Sequence, residues 1–150
     1  MKRLQIEHLE NKMKSLRKAE TIVIPKAGWI KTVRSTLGMS LAQLGKKLDR
    51  NKSSIARMEE RESHGGVTLK TMEEVGRAME MKFIYGYVPI DGSIDKLIEK
   101  KARNLAYEIV MRTSVNMKLE DQENSPERIR QAIEERTKEL MEEMPKKLWD

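Results

Sequence analysis

The sequence predicts a mainly α protein with one short β-strand, and three observations carry that expectation. Lys, Glu, Arg, Leu, Met and Ala dominate the 150 residues, and these are strong helix formers. Apolar residues recur at three- and four-residue intervals along most segments, the period of one helix face. Only residues 82–90 switch to a period of two, with β-branched and aromatic side chains.

The elements follow in chain order. Leu9, Met13 and Leu16 share one face of an amphipathic helix within 2–19. Thr21-Ile22-Val23-Ile24-Pro25 is short, β-branched and stopped by Pro, so 1–24 reads as an N-terminal helix and connector. A helix over 27–37 carries Trp29, Ile30, Val33 and Leu37, with Trp29 read as core. Gly38 stands where a C-terminal cap is wanted. Ser40 caps a helix over 41–48 bearing Leu41, Leu44 and Leu48. Asp49-Arg50-Asn51 is a turn. The next helix starts at Asn51 or Lys52, points Ile55 and Met58 inward, and breaks at Ser63-His64-Gly65-Gly66. Thr68 caps a helix with Leu69, Met72, Val75 and Met79, closing a domain over 25–81.

The strand over 82–90 puts Phe83, Tyr85 and Tyr87 on one face and ends at Pro89. A lone strand leaves its ladder groups unpaired. It pairs either with its twin across a dimer or within the monomer, for instance against Ile22-Val23-Ile24. Residues 91–150 form a helical extension. One helix over 94–118 carries Ile94, Leu97, Ile98, Leu105, Ile109 and Met117, and residues 120–124 are a polar linker. Ser125-Pro126-Glu127 starts the last helix, with Ile129, Ile133, Leu140 and Met144 as its stripe and Pro145 as its stop. Trp149 is a docking anchor or a plug on the domain, the plug being favoured.

Several function classes are excluded. The chain has no Cys, so it holds no disulfide, thiolate nucleophile or Cys-type zinc site. Its two His, His8 and His64, lie far apart and supply neither a metal site nor a Ser/His/Asp arrangement. No enzyme and no cofactor are expected. Glu134-Glu135 and Glu142-Glu143 sit on a charge-rich helix and read as solvated. Gly65-Gly66 lacks the Lys-Ser/Thr of a phosphate loop, and His64 is given no role. No apolar run approaches the roughly 18 residues of a membrane span, and no signal peptide follows Met1-Lys2-Arg3. A soluble, cytoplasmic protein is expected. Aromatics are only 4% of the residues, too few for a stacking surface for single strands.

Charge narrows the choice. The net formal charge is +6. Residues 26–61 alone hold nine basic and three acidic side chains, whereas 120–150 hold six and ten. The positive block suits a polyanion, and the acidic end suits a protein better than DNA.

The positive block also contains a layout. From Met39 to Glu59, two short helices flank a turn. Gly45 stands where their backbones approach, and Leu44, Leu48, Ile55 and Met58 form a shared core. This is a helix-turn-helix arrangement. The second helix offers Lys52, Ser53, Ser54 and Arg57 for base contacts in a major groove. Ser40, Gln43, Arg34, Lys46 and Asn51 are candidates for phosphates.

On these residues, 27–79 resembles the five-helix lambda-repressor/Cro-like (Xre) domain. The spacing, Gly45, the turn, Ile55…Met58-Glu59 and the Thr68-Leu69 helix carry the resemblance. Leu41 stands where that family often has Gln. Asp49 stands where it often has Gly, which leaves the left-handed residue of the turn to Asp.

A wider resemblance rests on Pro25-Lys26-Ala27-Gly28-Trp29-Ile30, Met39-Ser40, Thr68-Leu69-Lys70-Thr71-Met72, Phe83-Ile84-Tyr85-Gly86-Tyr87-Val88-Pro89, Met117-Lys118-Leu119-Glu120-Asp121-Gln122 and Leu148-Trp149-Asp150. These stretches are similar to the bacterial family called mobile mystery protein A, encoded beside a Fic-domain protein. The resemblance implies a homodimeric repressor on a palindromic operator, acting as antitoxin to a Fic-type toxin. Many Fic antitoxins use a helix reading Ser/Thr-x-x-x-Glu-Gly/Asn. No Glu here has Ser or Thr four residues before it, so that device is absent. The alternatives are a protein-interaction module that cradles a toxin, and a stand-alone phage-type repressor.

Overall fold

The computed structural model describes residues 2–119 and 125–150, with side chains to residue 115 in the first stretch. The polar linker at 120–124 and the side chain of Met117 lie outside the described residues. The fold is mainly α: helix covers 71% of the chain, about twice the usual third. Seven α-helices are described: α1 (Lys2–Lys14), α2 (Trp29–Thr36), α3 (Leu41–Lys47), α4 (Lys52–Ser63), α5 (Leu69–Ala78), α6 (Ile94–Leu119) and α7 (Pro126–Glu143). Short 3-10 turns occur at Arg17–Thr21 and Lys146–Trp149.

The chain divides into two compact units. One is Lys18–Gly86, which contains α2 to α5. Its core is Ile30, Leu44, Ile55, Met58, Met72 and Val75, with Met39, Leu41, Leu48 and Phe83 packed against them. Burying one such side chain contributes roughly 1.5–3 kcal/mol. Trp29 is not part of this core. It is 40% exposed, and its neighbour Ile30, one step round the helix, turns inward. Leu37 and Leu69 are also exposed.

The expected strand is not formed. Among the described residues there is no strand, and 82–89 run without a backbone ladder. A ladder needs a second strand, and Ile22, Val23 and Ile24 do not supply it, being exposed. Phe83 and Tyr85 stack, with ring centres 5.8 Å apart.

The other unit joins Met1–Arg17 to Tyr87–Asp150. Its core is Ala102, Leu105 and Ala106 of α6 against Leu140 of α7 and Leu148. Leu148 plugs this core, and Trp149 beside it is 51% exposed, contrary to the plug expected of Trp149. Ser125 accepts from the amide of Arg128 and Pro126 opens α7. Met144 ends it in a left-handed conformation before Pro145.

Helix α1 buries no residue and is held by polar contacts. Arg3 donates to Asp95 at 2.5 and 3.0 Å. Glu10 accepts from the amide of Ile94 and from Arg17. Among the described residues no helix is long and apolar enough to cross a membrane.

Candidate nucleic-acid interface

The α3–turn–α4 segment is built by local hydrogen bonds. Ser40 accepts from the amide of Gln43 at 3.0 Å, and the Gln43 side chain accepts from the amide of Ser40 at 2.8 Å. This reciprocal box satisfies two free donors at the start of α3. Asn51 likewise caps α4, accepting from the amide of Ser54 at 2.8 Å. Between them Asp49 takes φ 54°, the left-handed value the turn requires. Arg50 donates its amide to the carbonyl of Gly45 at 2.8 Å. A β-carbon on residue 45 would collide with the carbonyl oxygen of Arg50. Gly45 therefore sets how closely the turn folds back on α3.

Two acidic residues of α4 fasten it to α2. Glu62 accepts from the amides of Trp29 and Ile30 at 2.7 and 2.8 Å, satisfying the N-terminus of α2. Glu59 is buried and paired with Arg34, which also donates to the carbonyl of Met39 at 2.8 Å. Arg34 was expected on a phosphate. Its side chain is only 11% exposed and committed to these acceptors, so it is a structural residue.

The remaining expected residues lie on or beside α3 and α4. Lys52 and Ser53 are exposed in the first turn of α4, and Arg57 is exposed one turn later. Ser54 is half-buried. Ser40, Gln43, Lys46 and Asn51 are exposed, but Ser40, Gln43 and Asn51 already use a side-chain oxygen as a cap. Phe83 is half-buried against the core, whereas Tyr85 and Tyr87 are exposed.

Four further residues share this surface and were passed over in the sequence. Lys47, Arg50, Ala56 and Glu60 are all exposed. Burial marks Ile55, Met58 and Glu59 as the inner face of α4. At 3.6 residues per turn, Ser53, Ala56, Arg57 and Glu60 then fall on the outer side. A helical wheel over 52–63 finds Ala56 and Glu60. Lys46, Lys47, Arg50, Lys52 and Arg57 enter no ion pair among the described residues. Five cations thus stand on α3, the turn and α4 without an ion-pair partner among the described residues, and they outnumber the exposed Asp49 and Glu60 beside them, an arrangement able to attract a polyanion. The described residues contain no cluster of three His, Asp or Glu able to hold a metal. Compared with family models, curated proteins and solved structures, the chain matches none, so the reading of this surface rests on its own geometry.

Proposed function

We propose that this chain is a sequence-specific DNA-binding repressor of the lambda-repressor-like kind. One observation carries the reading: two short helices joined by a tight turn, with uncompensated cations on the exposed side of the second. In this reading α4 lies in a major groove with its N-terminal end foremost. Lys52, Ser53, Ser54 and Arg57 contact bases; Lys46 and the free polar atoms of Ser40, Gln43 and Asn51 hold phosphates.

A repressor of this kind works as a homodimer on a palindrome, its half-sites about 34–36 Å apart or a multiple of that. The segment 82–88 supplies a means of pairing. Its backbone forms no ladder among the described residues, and its sequence alternates up to Pro89, which cannot donate. The resemblance to mobile mystery protein A extends the proposal to a cytoplasmic antitoxin that regulates its own operon beside a Fic-type toxin.

Binding to duplex DNA, followed by fluorescence anisotropy over a salt series, tests the reading. Affinity should fall with a log–log slope near −0.9 per neutralised phosphate. Arg57→Ala should weaken sequence preference as well as affinity. A flat salt response, or an Arg57→Ala variant with unchanged preference, sinks the assignment.

A second reading is favoured by the helical extension, where Tyr107 and Trp149 are more than half exposed and the last 31 residues are acidic. These features suit a protein partner. Co-purification with the product of the neighbouring gene, lost in Trp149→Ala while DNA affinity is kept, assigns a toxin-holding role to this part.

A further inference from the structure

The cationic surface carries two exposed carboxylates that enter no ion pair among the described residues, Asp49 in the turn and Glu60 on α4. At 100° per residue, Ser53, Arg57 and Glu60 fall within about 60° of one another. That sector lies opposite the buried Ile55, Met58 and Glu59. Arg57 stands three residues before Glu60, where the two could neutralise each other, yet they do not pair.

The two side chains have opposite chemistry. Arginine only donates hydrogen bonds; an ionised glutamate only accepts them. In the major groove, guanine presents two acceptors and cytosine presents an amino donor. From Arg57 to Glu60 the helix advances about 4.5 Å, a little more than the roughly 3.4 Å between successive base pairs. A carboxylate that meets phosphate, guanine or the carbonyl of thymine is repelled; one that meets a cytosine amino group is satisfied.

We propose that Arg57 and Glu60 read two adjacent base pairs, Arg57 a guanine and Glu60 a cytosine on the neighbouring pair, so that Glu60 is a specificity-determining residue. The inference rests on the DNA-binding reading above. Away from such a site, Glu60 faces phosphates and weakens binding, which widens the gap between specific and non-specific affinity.

The test is selection by the full chain from a duplex library with a randomised centre, run beside Glu60→Gln and Arg57→Ala. The wild type should enrich a site with guanine and cytosine on neighbouring pairs. Glu60→Gln should keep the guanine preference and lose the cytosine preference by about tenfold. It should also bind unselected duplex several-fold more tightly. Arg57→Ala should lose the guanine preference. Glu60 is exposed, so the variant should fold as the wild type does, which circular dichroism checks. An identical enriched site, with unchanged affinity of Glu60→Gln for unselected duplex, overturns the role of Glu60 and leaves the DNA-binding reading standing. A wild type that enriches no site overturns that reading and this inference with it.

Discussion

The guanidinium of Arg34 grips the carboxylate of Glu59, donating to it from both Nε and Nη2, while Nη1 donates to the carbonyl of Met39 at 2.8 Å. The pair joins α2 to the inner face of α4 and is almost wholly buried. Removing one partner leaves a charge without compensation. Arg34→Ala or Glu59→Ala should each cost about 3–5 kcal/mol, read from urea unfolding. Replacing both residues by apolar ones of similar volume should cost much less than either single change.

Gly45 makes a separate demand. In Gly45→Ala the new methyl meets the carbonyl of Arg50, which can retreat only by opening the turn. Overpacking of this kind costs typically about 1–3 kcal/mol. The variant should melt at a lower temperature and, under the proposed function, lose DNA affinity through misplacement of α4. Full affinity with a normal melting temperature would show that the turn yields without effect.

Lys46 and Arg57 should behave differently if the proposed function holds. Lys46→Ala should weaken binding about equally on every duplex and lower the salt slope by roughly one. Arg57→Ala should reduce preference among sequences by about 1–3 kcal/mol at one position. Titrations of the two variants against several duplexes separate the effects.

Pairing through 82–88 has a distinctive consequence. An antiparallel two-fold pairing centred on Tyr85 puts that residue opposite its own copy and Phe83 opposite Tyr87. Tyr85→Asp would then face two like charges across the pair, which is destabilising. Sedimentation should show a dimer for the wild type and a monomer for this variant. A variant that sediments as the wild type does places the dimer contact elsewhere.

Acid should act on the contact between α1 and α6. The hydrogen bond from Arg3 holds the carboxyl of Asp95 below its ordinary value, outweighing the opposing effect of partial burial. A depressed folded-state value means that the contribution is complete above the unfolded-state value of about 4. It is lost as pH falls from there through the lower folded value. The effect is small, because the pair is exposed. Asp95→Asn should remove this part of the acid-induced loss of stability, compared by urea unfolding at neutral pH and below about pH 4.

Local signals were legible in the sequence. Ser40, Thr68 and Ser125 cap helices as expected, because a cap involves only residues three apart; Asn51, expected as a helix start or a phosphate contact, is a cap as well. The left-handed Asp49 and the close approach at Gly45 could be read for the same reason. Arg34 could not be placed, because its partner lies 25 residues away and only tertiary packing brings them together. Phe83, Tyr85 and Tyr87 have the alternation of a strand, yet alternation cannot supply the neighbour a ladder needs. Trp29 and Ile30 are adjacent apolar residues, and the wheel of α2 can turn only one of them fully inward. Glu60 lies three residues beyond Arg57 in sequence, and only the helical turn brings it to the same side.

The unit formed by residues 18–86 interrupts the other unit, whose two pieces come from opposite ends of the chain. During synthesis, α1 emerges with no buried residue of its own before its partners Asp95 and Ile94, which follow some 84 to 92 residues later. The inner unit has all its core residues by then. It can fold while α1 is still waiting, so its maturation should precede that of the other unit.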